Sequence, residues 1–255
     1  MHLSFHNWED SARSLRTAAS LGKGELQVWI AATPSDEADV MAFASLLSPD
    51  ERARAERFIV SEPRHQFIFG RALLRQLLGA CLSLDPTALV FGYQSRGKPF
   101  LVPPAHGDLR FNLSHSGRIV VIALARGREV GVDIESIQRL DDWLLLAGRI
   151  FSTRELCELR SLPEPQQREA FFNGWTRKEA YLKATGEGLT DALPAIEVTL
   201  GAGKESELLG LPTGLEAVNQ WAIRALPLPP DFAGAVVFEK GAAEVLEFAG
   251  DPRPC

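Results

Sequence analysis

The stretch EVGVDIES, Glu129 to Ser136, decides how this chain is read. Val130, Val132 and Ile134 alternate with Gly131, Asp133 and Glu135, the period of two of a β-strand. One face of that strand is branched and apolar; the other is glycine, aspartate and glutamate. Asp133 and Glu135 stand at i and i+2, so both carboxylates leave the same face. Two like charges that close repel each other, and a hard cation with oxygen ligands is the natural offset. For an Asp-x-Glu taken alone, a solvated strand face is the commoner reading.

Upstream, RIVVIALA (118–125) is a second strand, and the short Arg126-Gly127-Arg128 turn between the two suggests a hairpin. ELQVWIAA (25–32) reads as the first strand of the chain. Ser48, Pro49 and Glu51 form a helix start with a capping box. RHQFIFGRALLRQLLGACL (64–82) is a stronger helix, with Phe67, Leu74, Leu77, Leu78 and Cys81 at helical spacing. TALVFGY (87–93) is a further strand. Downstream come helices over about 139–150, 152–160 and 166–185, then short strands in AIEVTL, WAIRALPL, FAGAVVFEK and EVLEF. Each half runs helices first and antiparallel strands after. The expected class is therefore α+β, with lobes at 25–128 and 129–255 and a seam near Gly127 to Gly131. Residues 1–24 read as a polar N-terminal extension, partly ordered at best, and the tail AGDPRPC as loose.

With 255 residues the chain is long enough for a sizeable core. It is 45% hydrophobic and 24% charged with net charge −6, which disfavours bulk binding to nucleic acid or to an anionic membrane. Cys81, Cys157 and Cys255 are too scattered for a disulfide framework or a metal site, which fits a reducing compartment. No apolar run approaches a membrane span, and the N-terminus lacks the pattern of a signal peptide, so the expected location is the cytoplasm.

Three other stretches carry chemistry. WTRKEAYLKATGEGL (175–189) reads as a helix ended by Gly186 and Gly188. Its Glu179 and Lys183 are four apart on one face, as in a salt bridge along a helix, while Thr176 and Glu179 also fit a capping box. FNLSHSG (111–117) fits an exposed turn whose backbone N–H groups, with His115, suit an anion. Arg64, Arg71 and Arg75 fall on one line down their helix, a basic stripe for which a solvated face is the ordinary reading. No nucleophile triad, zinc motif or phosphate loop competes.

RGKPFL, FNLSHSG, GVDIE and WTRKEAYLKATGEGL, in that order, resemble the 4′-phosphopantetheinyl transferase superfamily, and the length resembles its surfactin-synthetase-activating (Sfp-type) branch. The likeness runs from about Leu46 to Leu189. It implies a pseudo-dimer of two similar α+β lobes in one chain, acting as a monomer, with coenzyme A in the cleft between them. It implies transfer of the 4′-phosphopantetheine arm of coenzyme A to a serine of an apo acyl or peptidyl carrier protein, releasing adenosine 3′,5′-bisphosphate. Carried over residue by residue, it makes Asp133, Glu135 and Glu179 the ligands of Mg²⁺, or of Mn²⁺ in its place. Lys183 would meet the developing charge, and Lys178 the nucleotide phosphates. The serine's base would be Glu155, or Glu179 through a water on the metal. Lys98, Pro99, Ser114 and His115, with Arg64 and Arg71, would surround the adenine and the 3′-phosphate. Two rival classes are another Mg²⁺-dependent phosphotransfer enzyme and a non-catalytic carrier-protein binder. The presence of Asp133, Glu135, Glu179 and Lys183 together argues against the second.

Overall fold

The structure is a computed structural model that describes residues 2–8, 11–95, 97–102, 107–138, 143–188, 193–201, 205–240 and 247–249. These divide into two compact units. The first holds residues 2–127 with 247–249, and the second holds 128–240.

The first unit contains β1 (His2–Asn7), α1 (Ser11–Ala19), β2 (Leu26–Ala32), α2 (Glu37–Ala42), α3 (Pro49–Ala55) and α4 (Ser61–Leu82). The hairpin strands β3 (Phe91–Tyr93) and β4 (Pro99–Leu101) follow, then β5 (Leu109–Ser116) and β6 (Ile119–Arg126). β2, β6 and β5 pair antiparallel in that order, and α4 lays Phe69, Leu73 and Leu77 into one core with Trp29, Ile122 and Leu124.

The second unit contains β7 (Val130–Ser136), α5 (Trp143–Ile150), α6 (Thr153–Ser161) and α7 (Glu164–Thr185). The pair β8 (Glu197–Val198) and β9 (Leu208–Gly210), the short α8 (Leu215–Val218), β10 (Trp221–Ala225) and β11 (Phe232–Glu239) complete it. β7, β11 and β10 pair antiparallel in that order, and α7 packs on β7 and β11. The helix ends where Gly186 takes a left-handed conformation, φ 77°, that costs a residue with a Cβ far more.

Several expectations are corrected. The segment 1–24 is no loose preface: β1 pairs parallel with β2, and α1 packs on α4. Leu3, Ser14 and Ala18 supply the buried side chains that a polar composition concealed. The strand β12 (Glu247–Ala249) pairs with β1, so it belongs to the first unit and not to the lobe 129–255. β6 and β7 form no hairpin: β6 pairs with β2 and β5, and β7 with β11, so Gly127 is a junction between units. FNLSHSG is a strand, not a turn. Asn112, Ser114 and Ser116 are buried along β5, His115 is exposed, and only Gly117-Arg118 turns the chain into β6. Polar residues in strand alternation look like loop composition when each is read singly. The strand in TALVFGY shortens to β3, because Pro86 opens a 3₁₀ turn. The start of the helix expected over 139–150 and the tail from 250 lie outside the described residues.

Candidate active site

The face of β7 that carries Gly131, Asp133 and Glu135 is covered by α7. Gly131 makes that possible: a Cβ there would collide with the backbone at Ala180 O and Ala184 N. The glycine of the strand pattern thus admits a helix backbone, and Glu179 and Lys183, one residue before each contact, come beside the strand carboxylates. α7 runs unbroken through Thr176, whose Oγ1 donates to Phe172 O at 2.9 Å, so Glu179 caps no helix start. Lys183 Nζ donates to Asp133 Oδ1 at 2.6 Å, reaching across to β7.

Asp133 is almost fully buried, with its side chain 5% exposed, and Lys183 is 30% exposed. Glu179 Oε1 is buried with no hydrogen-bond partner among the described residues. Burial first, then the charge of Asp133, pushes the Glu179 carboxyl up to about 7; Lys183 opposes the shift and Glu135 adds to it. The group is short of positive charge. Among the described residues, no group of three or more histidine, cysteine, aspartate or glutamate side chains already stands close enough together to hold a metal ion. The donors nevertheless fit a hard divalent cation: they are carboxylate oxygens, few in number, and one is a buried acceptor lacking a donor.

Glu155 and Lys178 are brought together inside the second unit. Lys178 Nζ donates to Glu155 Oε2 at 2.7 Å, Ile150 O at 2.8 Å and Leu193 O at 3.0 Å, which uses all three of its hydrogens. Glu155 Oε2 also accepts from Ser152 N at 2.8 Å and Oε1 from Val198 N at 2.9 Å. The side chains are 0% and 1% exposed. Glu155 as base and Lys178 as a nucleotide contact are therefore corrected: neither reaches the surface. Lys178 sits one residue, about 100° of helix, from Glu179 and faces the core instead.

In the first unit the basic stripe is not solvated. Arg75 is buried with Glu51 at 2.7 Å, each side chain 1% exposed. Arg71 is buried too; its Nη2 donates to the Tyr93 hydroxyl at 3.2 Å, while Nη1 is buried without a hydrogen-bond partner among the described residues. Three rings, Phe67, Phe91 and Tyr93, lie 5.5–5.7 Å from its guanidinium carbon. Tyr93 pairs with Pro99, and Lys98 stands half-buried beside it. The structure thus brings Arg71, Lys98 and Pro99 to one hairpin. Ser114 and His115 lie on β5, and Arg64 sits two helical turns before Arg71. A cavity of about 590 Å³ next to Tyr93 is lined by Asp50, Glu51, Arg54, Arg57 and Phe58. Arg54 and Arg57 escaped the sequence reading. Their signal was faint: Arg54 lies in the last turn of the short α3 and Arg57 just past its end, among Asp50, Glu51 and Glu56.

Comparison with known proteins gives the family. Residues 129–237 match the model of the 4′-phosphopantetheinyl transferase superfamily, and residues 31–126 match that of the 4′-phosphopantetheinyl transferase N-terminal region. The 4′-phosphopantetheinyl transferase HetI of Nostoc sp. is 38% identical over 227 residues, 89% of this chain and 90% of that protein. The 4′-phosphopantetheinyl transferase Sfp of Bacillus subtilis is 32% identical over 167 residues, 66% of this chain and 72% of its own. With both units matched, the chain belongs to the 4′-phosphopantetheinyl transferase superfamily, in its Sfp-type branch, and is an enzyme of that class.

Proposed function

We propose that this transferase moves the 4′-phosphopantetheine arm of coenzyme A onto a serine hydroxyl of an apo carrier protein, with Asp133, Glu135 and Glu179 holding a magnesium ion. The observation that carries the metal assignment is Glu179 Oε1, a buried carboxylate oxygen with no donor, beside two further carboxylates. Bound there, Mg²⁺ would neutralise charge on the pyrophosphate oxygens. Asp133 fixes the Lys183 ammonium at 2.6 Å, and the partly exposed lysine is placed to meet the charge that grows on the leaving phosphate. With Glu155 locked in the core, Glu179, acting through a water, is the carboxylate left to draw the proton from the serine hydroxyl.

The 3′-phosphate of coenzyme A is held in the first unit by Lys98 and His115, with Arg71 as a buried donor and Pro99, Ser114 and Arg64 around it. Support comes from Arg71 Nη1, a buried cationic donor without an acceptor. The enzyme acts as a monomer of 28.0 kDa in the cytoplasm, which sedimentation equilibrium and fractionation check. No helix among the described residues is long and apolar enough to cross a membrane.

The decisive measurement is intact-protein mass spectrometry of several apo carriers incubated with enzyme, Mg²⁺ and coenzyme A. A carrier gaining one phosphopantetheine is the expected result. Asp133→Ala should lower turnover by about a thousandfold, equivalent to about 4 kcal/mol of lost transition-state stabilisation, and stay folded. Near-normal turnover of that variant at limiting Mg²⁺ would sink the metal assignment.

A further inference from the structure

The Glu155–Lys178 pair has a twin. In both units a short helix opens with a capping box: Ser48 with Glu51 on α3, Ser152 with Glu155 on α6. In both, the capping glutamate accepts the serine backbone N–H, at 3.0 and 2.8 Å, on the same oxygen that takes a buried cation at 2.7 Å. The cations, Arg75 and Lys178, take the same position counted from the start of two 22-residue helices, α4 and α7. Each also donates to two backbone carbonyls: Pro86 and Leu89 for Arg75, Ile150 and Leu193 for Lys178. Each stands over a phenylalanine ring, Phe91 at 5.1 Å and Phe151 at 5.0 Å.

Two features separate this device from simple stabilisation. A buried ion pair contributes little net stability compared with apolar packing, but it admits one arrangement only. Turning α7 by one residue would put Glu179 where Lys178 is and bury an unmatched charge. In each unit the pinned cation also lies close along its helix to a side chain with a ligand-facing role: Lys178 directly precedes Glu179, and Arg75 follows Arg71 by one turn. Only the second unit carries the strand carboxylates, yet both carry the pair, so the pair is not specific to the chemistry performed at Asp133.

We propose that Glu155 and Lys178 are positioning residues, a rotational lock on α7 that presents Glu179 and Lys183 to Asp133, and that Glu51 and Arg75 are the same lock on α4, presenting Arg71. The proposal rests on the reading of Glu179 as a metal ligand. The test measures turnover, its pH profile and the half-saturating Mg²⁺ concentration for Lys178→Arg, Glu155→Gln and the double variant Glu155→Gln/Lys178→Met, with thermal melts to follow folding.

Lys178→Arg should keep turnover within about threefold of the parent, because the matching position of α4 already holds an arginine with the same partners. Glu155→Gln should raise the half-saturating Mg²⁺ concentration by roughly ten- to a hundredfold without changing the shape of the pH profile. The double variant, which leaves no buried charge, should recover most of that loss. A folded Lys178→Arg, or a folded double variant, with turnover down about a thousandfold at saturating Mg²⁺ would overturn the proposal, since the ammonium or the carboxylate would then act on substrate itself. Loss of the acidic limb of the pH profile in Glu155→Gln would overturn it equally. If the double variant fails to fold, Lys178→Arg decides. Glu179→Gln, run in parallel, separates the two readings. An unchanged Mg²⁺ requirement there rejects Glu179 as a ligand, while the turnover of Lys178→Arg still reports on the lock.

Discussion

Residue by residue, the pattern of EVGVDIES held more than its charges. Asp133 and Glu135 were legible as one face, but the reason for Gly131 was not, because a helix arriving from fifty residues away leaves no mark on the strand's own letters. Lys178 and Lys183 looked alike in sequence; burial separates them, one fully enclosed and the other 30% exposed. That exposure places Lys183 to act late. Lys183→Ala should lower kcat about a hundredfold while moving coenzyme A affinity little, because its charge is needed most as the leaving phosphate forms. Weakened binding at an unchanged maximal rate would make it a ground-state clamp. Glu179 predicts a pH effect in the metal-free enzyme. Its carboxyl is pushed up to about 7 in the fold from an ordinary 4.5, so the folded state binds the proton more tightly than the unfolded one. Below about 4.5 both states are protonated and nothing is lost. Stability falls as pH rises through 4.5 to 7, and the whole cost is present above that window, screened by partial exposure to about 1–2 kcal/mol. In chelator, Glu179→Gln should therefore melt higher than the parent at pH 8 and level with it at pH 4. Equal melting at pH 8 would show that the site carries no charge deficit.

At the scale of elements, long periodic segments were read well and short polar ones poorly. α4 and α7 announced themselves by helical spacing, and the capping boxes at Ser48 and Ser152 are visible as Ser-x-x-Glu. A solvated face is the ordinary reading of an arginine stripe, but α4 is buried on nearly every side, and a helix enclosed by its own unit must hide its cations among rings and carboxylates. The β6–β7 turn was read as a hairpin because adjacency in sequence usually means pairing, whereas here the chain changes units at Gly127. On the proposed function, these elements carry the discrimination between coenzyme A and its dephospho form. Lys98 comes from the β3–β4 hairpin, His115 from β5 and Arg71 from α4. A charge-assisted hydrogen bond to phosphate contributes about 1.5–3 kcal/mol, so losing one should weaken coenzyme A binding by about ten- to a hundredfold. Binding of dephospho-coenzyme A should barely change. Calorimetric titration of His115→Ala and Lys98→Ala with both ligands checks this. Equal losses for the two would place these residues on the adenine or the pyrophosphate instead.

Over the whole molecule, one frame is used twice. β2, α4, β5 and β6 assemble with sheet order β2-β6-β5; β7, α7, β10 and β11 assemble with order β7-β11-β10, and every pairing within these trios is antiparallel. β2 and β7 are both seven residues long, and Trp29 holds the place in β2 that Asp133 holds in β7. Along the helices, Gln76 stands where Glu179 does and Ala80 where Lys183 does. The first copy has filled the position of Asp133 with core: Trp29 is 1% exposed, its Nε1 donates to Gln27 Oε1 at 3.3 Å, and His6 stacks on it at 4.6 Å. No sequence repeat betrays this, because a shared frame constrains burial pattern and strand order while leaving residue identity free. The two copies should therefore answer the same kind of substitution in opposite ways. Asp133→Asn keeps the volume and removes one of three like charges, so the metal-free enzyme should hold its stability to within about 1 kcal/mol while losing turnover about a thousandfold. Trp29→Asp, which writes the second unit's chemistry into the first, empties a packed core position and buries an unpaired carboxylate, at a cost of about 4 kcal/mol or more. It should lose the cooperative unfolding transition in urea or shift it far down, with no gain in Mg²⁺ binding. A stable Trp29→Asp variant that binds a second Mg²⁺ would show instead that the first copy keeps a latent metal site, and that its tryptophan is dispensable packing.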